Sequence, residues 1–414
     1  MSAPAAAHHT AAAPTELLAL RSAAAVRERC ARVHVWVAEG RSPHFHLDET
    51  RLDAAAAYVA DVTRSDYPDL VIPPHSRWRH FSAGDCDRWA TLPLAGLTAI
   101  ERARAAIDLA VVSVLLDAGA GAAWRYRDAE TGLMFARSEG LAVASFAMFR
   151  AGQFSSDPGL PLRVDRAALA GLALGTLAAG FQAADHNPLV GLPQRLTLLH
   201  RLAEATAARP DLFGALGRPG HLIDTLVADP TRPIPATEIL ALVLDGLAAI
   251  WPSGLVVDGV ALGDAGRHPA VRAPDRSDGI LPFHKLSQWL TYSLIEPIEQ
   301  AGLSVAGLDD LTALPEYRNG GLLVDTGIIV PRVPLDPAQL HEVASELIVE
   351  WRALTVALID RLREPTRRRL GLPSLSIPQL LQGGTWTAGR AIAAEKRPPD
   401  GAPPIAVRAD GTVF

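Results

Sequence analysis

Four segments of this chain, LTAIERARAAIDLAVVSVLLDAG (97–119), PATEILALVLDGLAAIW (235–251), KLSQWLTYSLIEPIEQAG (285–302) and PAQLHEVASELIVEWRALTVALIDRLRE (337–364), repeat apolar residues every three to four positions and end at Gly, Pro or charge. That period lays the apolar side chains along one side of an α-helix, and a chain with four such stripes must bury them against one another. The fold class that follows is mainly α. Strand-like runs are short and scattered: VHVWVAEG near residue 33, LVVDGVALG near 255 and LLVDTGIIVPRV near 322.

Residues 1–16 read as a disordered Ala-rich tail, because the opening lacks a basic region followed by an apolar one; His8 and His9 there are taken as incidental. No repeat or low-complexity linker interrupts residues 17–390, which predicts one helical domain with room for two lobes. Past Arg390 the Pro-rich segment 391–414 is expected to run extended over the surface. Residues 167–184 carry no charge and are long enough to span a bilayer. They are built mostly of Ala and Gly with Thr176 and Gln182 inside, so lipid transfer gains little and a buried core helix is expected instead.

Composition narrows the function classes. At 414 residues, 49% hydrophobic and 20% charged, the chain can bury a large core. A net charge of −6 speaks against sequence-independent nucleic-acid binding, which needs an excess of cations. Few of the basic residues are Lys, and Arg suits bidentate recognition of carboxylate or phosphate. Cys30 and Cys86 are the only cysteines and form no CxxC pair, so the default is a reducing cytoplasm with no thiolate zinc site. GxxxxGK[ST], GxGxxG after a strand, GxSxG and HExxH are all missing, which removes the common NTPases, Rossmann dehydrogenases, α/β-hydrolases and zincins. His44, His46 and Asp48, or His75 and His80, could be offered to a metal, yet two His without a third ligand are more often surface or core residues. GGTWTAGR (383–390) could cradle a phosphate, although a Gly-rich turn is the plainer expectation.

Three polar clusters remain. DYPDLVIPPHSRWRHF (66–81) gathers Arg77, Trp78, Arg79 and His80. In the second, Arg137, Ser138 and Glu139 open an apolar segment, where a helix N-terminus could meet an anion. Salt bridges over packed aromatic stems would explain both equally well. The third is sharper: on a helical wheel Lys285, Gln288, Tyr292, Glu296 and Glu299 fall in one stripe of about 80°. Such a stripe faces either water or a cavity. Close behind it comes LTALPEYRNGG (311–321), with Pro315 suited to a first helical turn and Gly320 to a stop.

LPFHKLSQWLTYSLIEPI followed by LTALPEYRNGGLLVD, together with SRWRHF, TGLMFARSEGLAVASFAMFRAGQFSS, GGTWTAGR and DGTVF, resembles the uracil catabolism protein four family of the URC route, over nearly the whole chain after the Ala-rich tail. A second likeness covers about a fifth of the chain. Phe283, Lys285 and Gln288 with Leu311, Thr312, Glu316, Tyr317 and Arg318 are similar to the F-x-K-x-x-Q and L-T-x-x-P-x-Y-R elements of queuosine-phosphate N-glycosylases, helical proteins related in shape to DNA glycosylases. Those enzymes carry Asp where this chain has Glu316, and Val-Pro-Gln where it has Asn-Gly-Gly.

Both resemblances imply cleavage of a C–N glycosidic bond, with a DNA-glycosylase-like helical architecture and no cofactor or metal. In the uracil route as drawn for the first family, a ribosylurea species must yield urea and a sugar, so the implied activity is N-ribosyl hydrolysis of a nucleotide-derived, phosphorylated small molecule. Glu316 would oppose the oxocarbenium-like charge and hold water. Lys285, His284 or Tyr317 would protonate or hydrogen-bond the departing urea, and Gln288 falls in the matched motif. Arg318, Arg137 and Arg79, in that order, are the phosphate candidates, with Ser138 and Glu139 beside Arg137. The plain alternatives are a helix-end acid for Glu316 and a salt bridge from Arg318 to Glu316 or Asp325. Two competing classes stay open: a metal-dependent amidohydrolase or ring-opening enzyme, and a non-catalytic binder of the intermediate.

Overall fold

The structure is a computed structural model that describes residues 14–227, 232–251, 254–336, 338–399 and 401–408. His8, His9, most of the Ala-rich tail and the terminal DGTVF lie outside the described residues. Ten helices organise the rest: α1 (Ala23–Ala38), α2 (Leu52–Asp66), α3 (Ala99–Leu115), α4 (Arg137–Arg150), α5 (Leu192–Ala208), α6 (Ala236–Leu247), α7 (Lys285–Gln300), α8 (Tyr317–Asp325), α9 (Glu346–Leu370) and α10 (Trp386–Lys396). The strands among the described residues form only two-stranded ribbons, so the fold is mainly α. No helix among these residues is long and apolar enough to cross a membrane.

Local chemistry sets the helix starts. Ser22 and Thr98 accept from the backbone N–H of Ala25 and Glu101 and so cap α1 and α3. Gly371, at φ 71°, ends α9. Helix α3 is buried on nearly every side, and its one buried acid, Asp108, accepts from Arg218 Nε at 2.6 Å and Gly220 N at 2.7 Å. α7 packs on α3 and α6, α9 packs on α1 and α2, and α8 lies against α10. One continuous apolar core joins them.

Several expectations change. VHVWVAEG is not a strand but the second half of α1. Its β-branched residues cost helix propensity of only a few tenths of a kcal/mol each, while Val26, Cys30, Val33 and Val37 recur at helical spacing and are all buried. LLVDTGIIVPRV splits: Leu322–Asp325 finishes α8, Gly327 turns at φ 80°, and only Ile329–Pro331 pairs, with Phe45–Leu47. LVVDGVALG does form a hairpin, Leu255–Val257 with Val260–Gly263. Residues 167–184 are two short helices, Arg166–Gly171 and Leu174–Gly180, broken by extended backbone at Leu172 and Ala173. They bury Leu169, Leu177 and Phe181 but leave Leu174 exposed. The last long helix starts at Glu346, later than expected, and continues through Pro365. Gly320 does not stop α8. It lies inside the helix because an added β-carbon would meet Trp351 and Thr355 at 2.8 Å. GGTWTAGR is neither cradle nor turn, since a π-helical stretch (Leu381–Thr385) runs into α10 and its glycines admit Ile72, Val59 and the Arg318 backbone.

Candidate active site

Lys285, one of only two lysines in the sequence, opens α7. The turn before it holds His284 in the left-handed region at φ 50°, which costs a residue with a β-carbon about 1–2 kcal/mol. Neighbouring groups compensate. The Asp264 carbonyl accepts from the N–H groups of Phe283 and His284, and its carboxylate accepts from Lys285 N at 3.0 Å. The same carboxylate takes Arg352 through two bonds, 2.9 and 2.7 Å. Arg352 also lies over the Phe283 ring, 4.0 Å from its centre, and reaches the Pro315 carbonyl at 3.4 Å. One buried guanidinium of α9 therefore fixes the start of α7 to the segment that carries Glu316.

Glu316 caps α8: its two carboxylate oxygens accept from Arg318 N at 2.9 Å and Asn319 N at 2.6 Å. The connection before it is held by the polar stripe of α7. Gln288 Oε1 accepts from Thr312 N at 2.8 Å, Gln288 Nε2 donates to Thr312 Oγ1, and Tyr292 Oη donates to the Thr312 carbonyl. Further along the stripe Glu296 takes Ser76 and Arg79. Glu296 is half-buried and Glu299 is exposed. The stripe is thus an assembly strip whose first residue, Lys285, faces a cavity.

That cavity holds about 440 Å³ and is lined by Lys285, Glu316, Tyr317, Arg318, Arg137 and Ser138 among others, a volume fit for a small metabolite. Burial pushes the Glu316 carboxyl up and the Lys285 ammonium down, while each one's charge favours the other's ionised form. Burial likewise raises the Tyr317 phenol. Arg318 donates to the Gly401 carbonyl at 2.8 Å and lies over the Tyr317 ring; Asp325 pairs with Arg397 instead. Arg137 sits at φ 53°, and its side chain makes no hydrogen bond or ion pair with another described residue. Four residues proposed from sequence lie outside the lining. Gln288 and His284 are buried, the latter at 2.9 Å from the Leu20 carbonyl, Arg79 pairs with Glu296, and Glu139 lies 3.6 Å from Arg390.

Sequence reasoning missed much of the wall. Asp117 lines the cavity and pairs with the fully buried Arg77 at 3.0 Å. Its signal was an acid just past the end of α3, where the helix dipole disfavours negative charge. Trp289 and Trp386 form an aromatic side with His75 and His80. Residues 401–403, Ile405 and Val407, expected on the surface, also line the cavity, and Val407–Arg408 pairs with His341–Glu342. Among the described residues no group of three or more His, Cys, Asp or Glu side chains is placed to share a cation. His44 faces Glu346 at 3.6 Å, and Phe45, between His44 and His46, points into the core.

Comparison with known proteins gives a consistent answer. Uracil catabolism protein 4 of Lachancea kluyveri is 37% identical over 430 aligned positions, covering 95% of this chain and 98% of that protein. Protein urg3 of Schizosaccharomyces pombe is 39% identical over 383 positions, covering 89% and 92%. The model of the family described as protein of unknown function (DUF1688) matches residues 19–414, and the chain belongs to that family.

Proposed function

We propose that this protein acts in uracil catabolism as an N-ribosyl hydrolase, cleaving the C–N glycosidic bond of a ribosylurea phosphate to urea and ribose 5-phosphate. The name of the Lachancea relative supports the pathway. The observation that carries the reaction is the placement of Glu316 and Lys285 in one cavity beside Arg318 and Arg137.

Each group has a task. As the bond from C1′ to nitrogen lengthens, positive charge grows on the sugar, and the Glu316 carboxylate opposes it from a fixed position. Its two bonds to backbone N–H groups leave further lone pairs for the attacking water. Lys285, made more acidic by burial, gives its proton to the departing urea nitrogen. Water supplies the hydroxyl to C1′, and its second proton restores Lys285. Arg137, whose guanidinium has no partner among the described residues, and the remaining N–H groups of Arg318 suit the phosphate dianion. The direct test incubates purified protein with ribosylurea 5-phosphate and measures urea and ribose 5-phosphate. Folded protein that releases neither would overturn the proposal.

A further inference from the structure

The aromatic side of the cavity carries two histidines of opposite tautomer. His75 is buried, and its Nδ1 lies 2.9 Å from Gln382 Oε1. That amide is oriented by its own Nε2, which donates to Tyr67 Oη at 3.1 Å. His75 Nδ1 therefore carries the hydrogen, and Nε2 is a bare acceptor. At His80 the logic reverses: Nδ1 faces Arg77 Nη1 at 3.4 Å, and although that nitrogen also donates to Asp117 and the Ser138 carbonyl, it offers no lone pair to a ring N–H. His80 Nδ1 must accept, so Nε2 carries the hydrogen. Burial keeps both rings neutral, with His75 pushed down to about 4.

Neither Nε2 has a protein partner among the described residues, and both rings line the cavity. They are held by one indole: His75 stacks on Trp289 with centres 6.1 Å apart at 28°, and His80 meets it edge-on at 6.1 Å and 75°. Trp386 closes over His75 at 5.9 Å. The Trp289 Nε1–H is buried with no hydrogen-bond partner among the described residues. Trp289 lies one helical turn from Lys285.

We propose that His75 and His80 form a carbamoyl-reading pair: His80 Nε2–H donates to the C=O of a planar ureido or amide group, and His75 Nε2 accepts an N–H from it. A carboxylate has no hydrogen for His75, and a guanidinium or ammonium has no lone pair for His80, so the pair selects a neutral group offering both. This rests on the reading of the cavity as the site where a urea-bearing sugar is cleaved, and it assigns the part of the substrate these residues hold.

The test uses N-methylurea, acetate and guanidinium as probes in ligand-observed NMR with the full chain, alongside the urea-release assay. N-methylurea should bind, and neither acetate, which Arg137 can hold elsewhere in the cavity, nor guanidinium should displace it from the histidines. His75→Phe and His80→Phe keep a ring against Trp289 and should each weaken N-methylurea by about tenfold, the loss of one buried hydrogen bond. Binding of N-methylurea should also fade as the pH falls toward 4 and His75 gains its proton. Acetate or guanidinium competing equally with N-methylurea, on the unmodified protein, overturns the pair whatever the variants do. Selective N-methylurea binding without cleavage of ribosylurea 5-phosphate would uphold the pair and sink the hydrolase reading; cleavage without that selectivity would do the reverse.

Discussion

Glu316→Gln separates a catalytic carboxylate from a structural cap, because the two roles lose different amounts. Both oxygens of Glu316 are committed to backbone N–H groups, at 2.6 and 2.9 Å. Gln offers a single carbonyl oxygen, so one N–H faces an NH₂ group and loses its acceptor. An unsatisfied buried donor costs about 1–3 kcal/mol, and the lost charge at the helix N-terminus about 0.3–1 kcal/mol more. A stability loss near 2–3 kcal/mol is therefore expected from capping alone. If Glu316 also opposes the developing sugar cation, turnover per folded molecule should fall by about 100-fold to 1000-fold. Glu316→Asp makes the complementary case. Asp is a favoured N-cap, so stability should stay within about 1 kcal/mol, but the retracted carboxylate should lower turnover by up to about 100-fold. The assay measures urea release and a denaturant midpoint on the same preparation, normalised to the folded fraction. A folded Glu316→Gln protein within about threefold of normal turnover would refute the catalytic role, the smallest loss expected being about 100-fold.

Other outcomes follow from the same geometry. Arg137→Lys keeps a positive charge but removes the planar fork, so KM for the phosphorylated substrate should rise several-fold with kcat little changed; equal kinetics with phosphorylated and unphosphorylated substrate would contradict this. His75 titrates near 4 when folded and near 6.5 when unfolded. The unfolded chain binds more protons between those values, so stability is full above about pH 6.5 and falls with acidification, by about 2 kcal/mol from this ring at pH 5. The difference between denaturant midpoints at pH 7 and pH 5 should shrink in His75→Gln, while the buried His80 and His284 keep part of it; an unchanged difference would argue against it. Asp264→Ala leaves Arg352 buried without its carboxylate and should destabilise by about 3–5 kcal/mol, readable in the same melts. If Glu316 and Lys285 supply the charge and the proton, turnover should survive a chelator; activity lost with chelator and restored by zinc would favour an amidohydrolase.

The sequence alone determined several of the helices and pointed to Glu316 and Lys285. Period and caps are local, so α3, α6 and α7 could be read from their own residues, and the stripe on α7 marked Lys285 and Gln288 before any contact was known. Gln288 and Thr312 explain why the two motifs occur together: one side chain makes two of the bonds that hold the Glu316 segment. The stripe's direction was not legible, because a polar line faces water, cavity or neighbouring backbone with the same period. The α1 half misread as a strand shows the same limit, since a short apolar run takes its conformation from the surface it meets.

Only the tertiary structure decided what surrounds Glu316 and Lys285. The wall is drawn from segments within 75–80, 117–122, 137–138, 285–289, 314–318, 386 and 401–407, which no local pattern connects. Asp264 and Arg352, 88 positions apart, set the start of α7. The carboxy-terminal segment lines a cavity because Arg318 finds the Gly401 carbonyl and Ile405 is buried in the core. A Pro-rich composition predicts extended backbone but not its destination. Helical hydrogen bonds join residues four apart and leave their signature in a few turns of sequence. The cavity is made by burial, charge and hydrogen bonding between distant groups, and those come together only when the core closes.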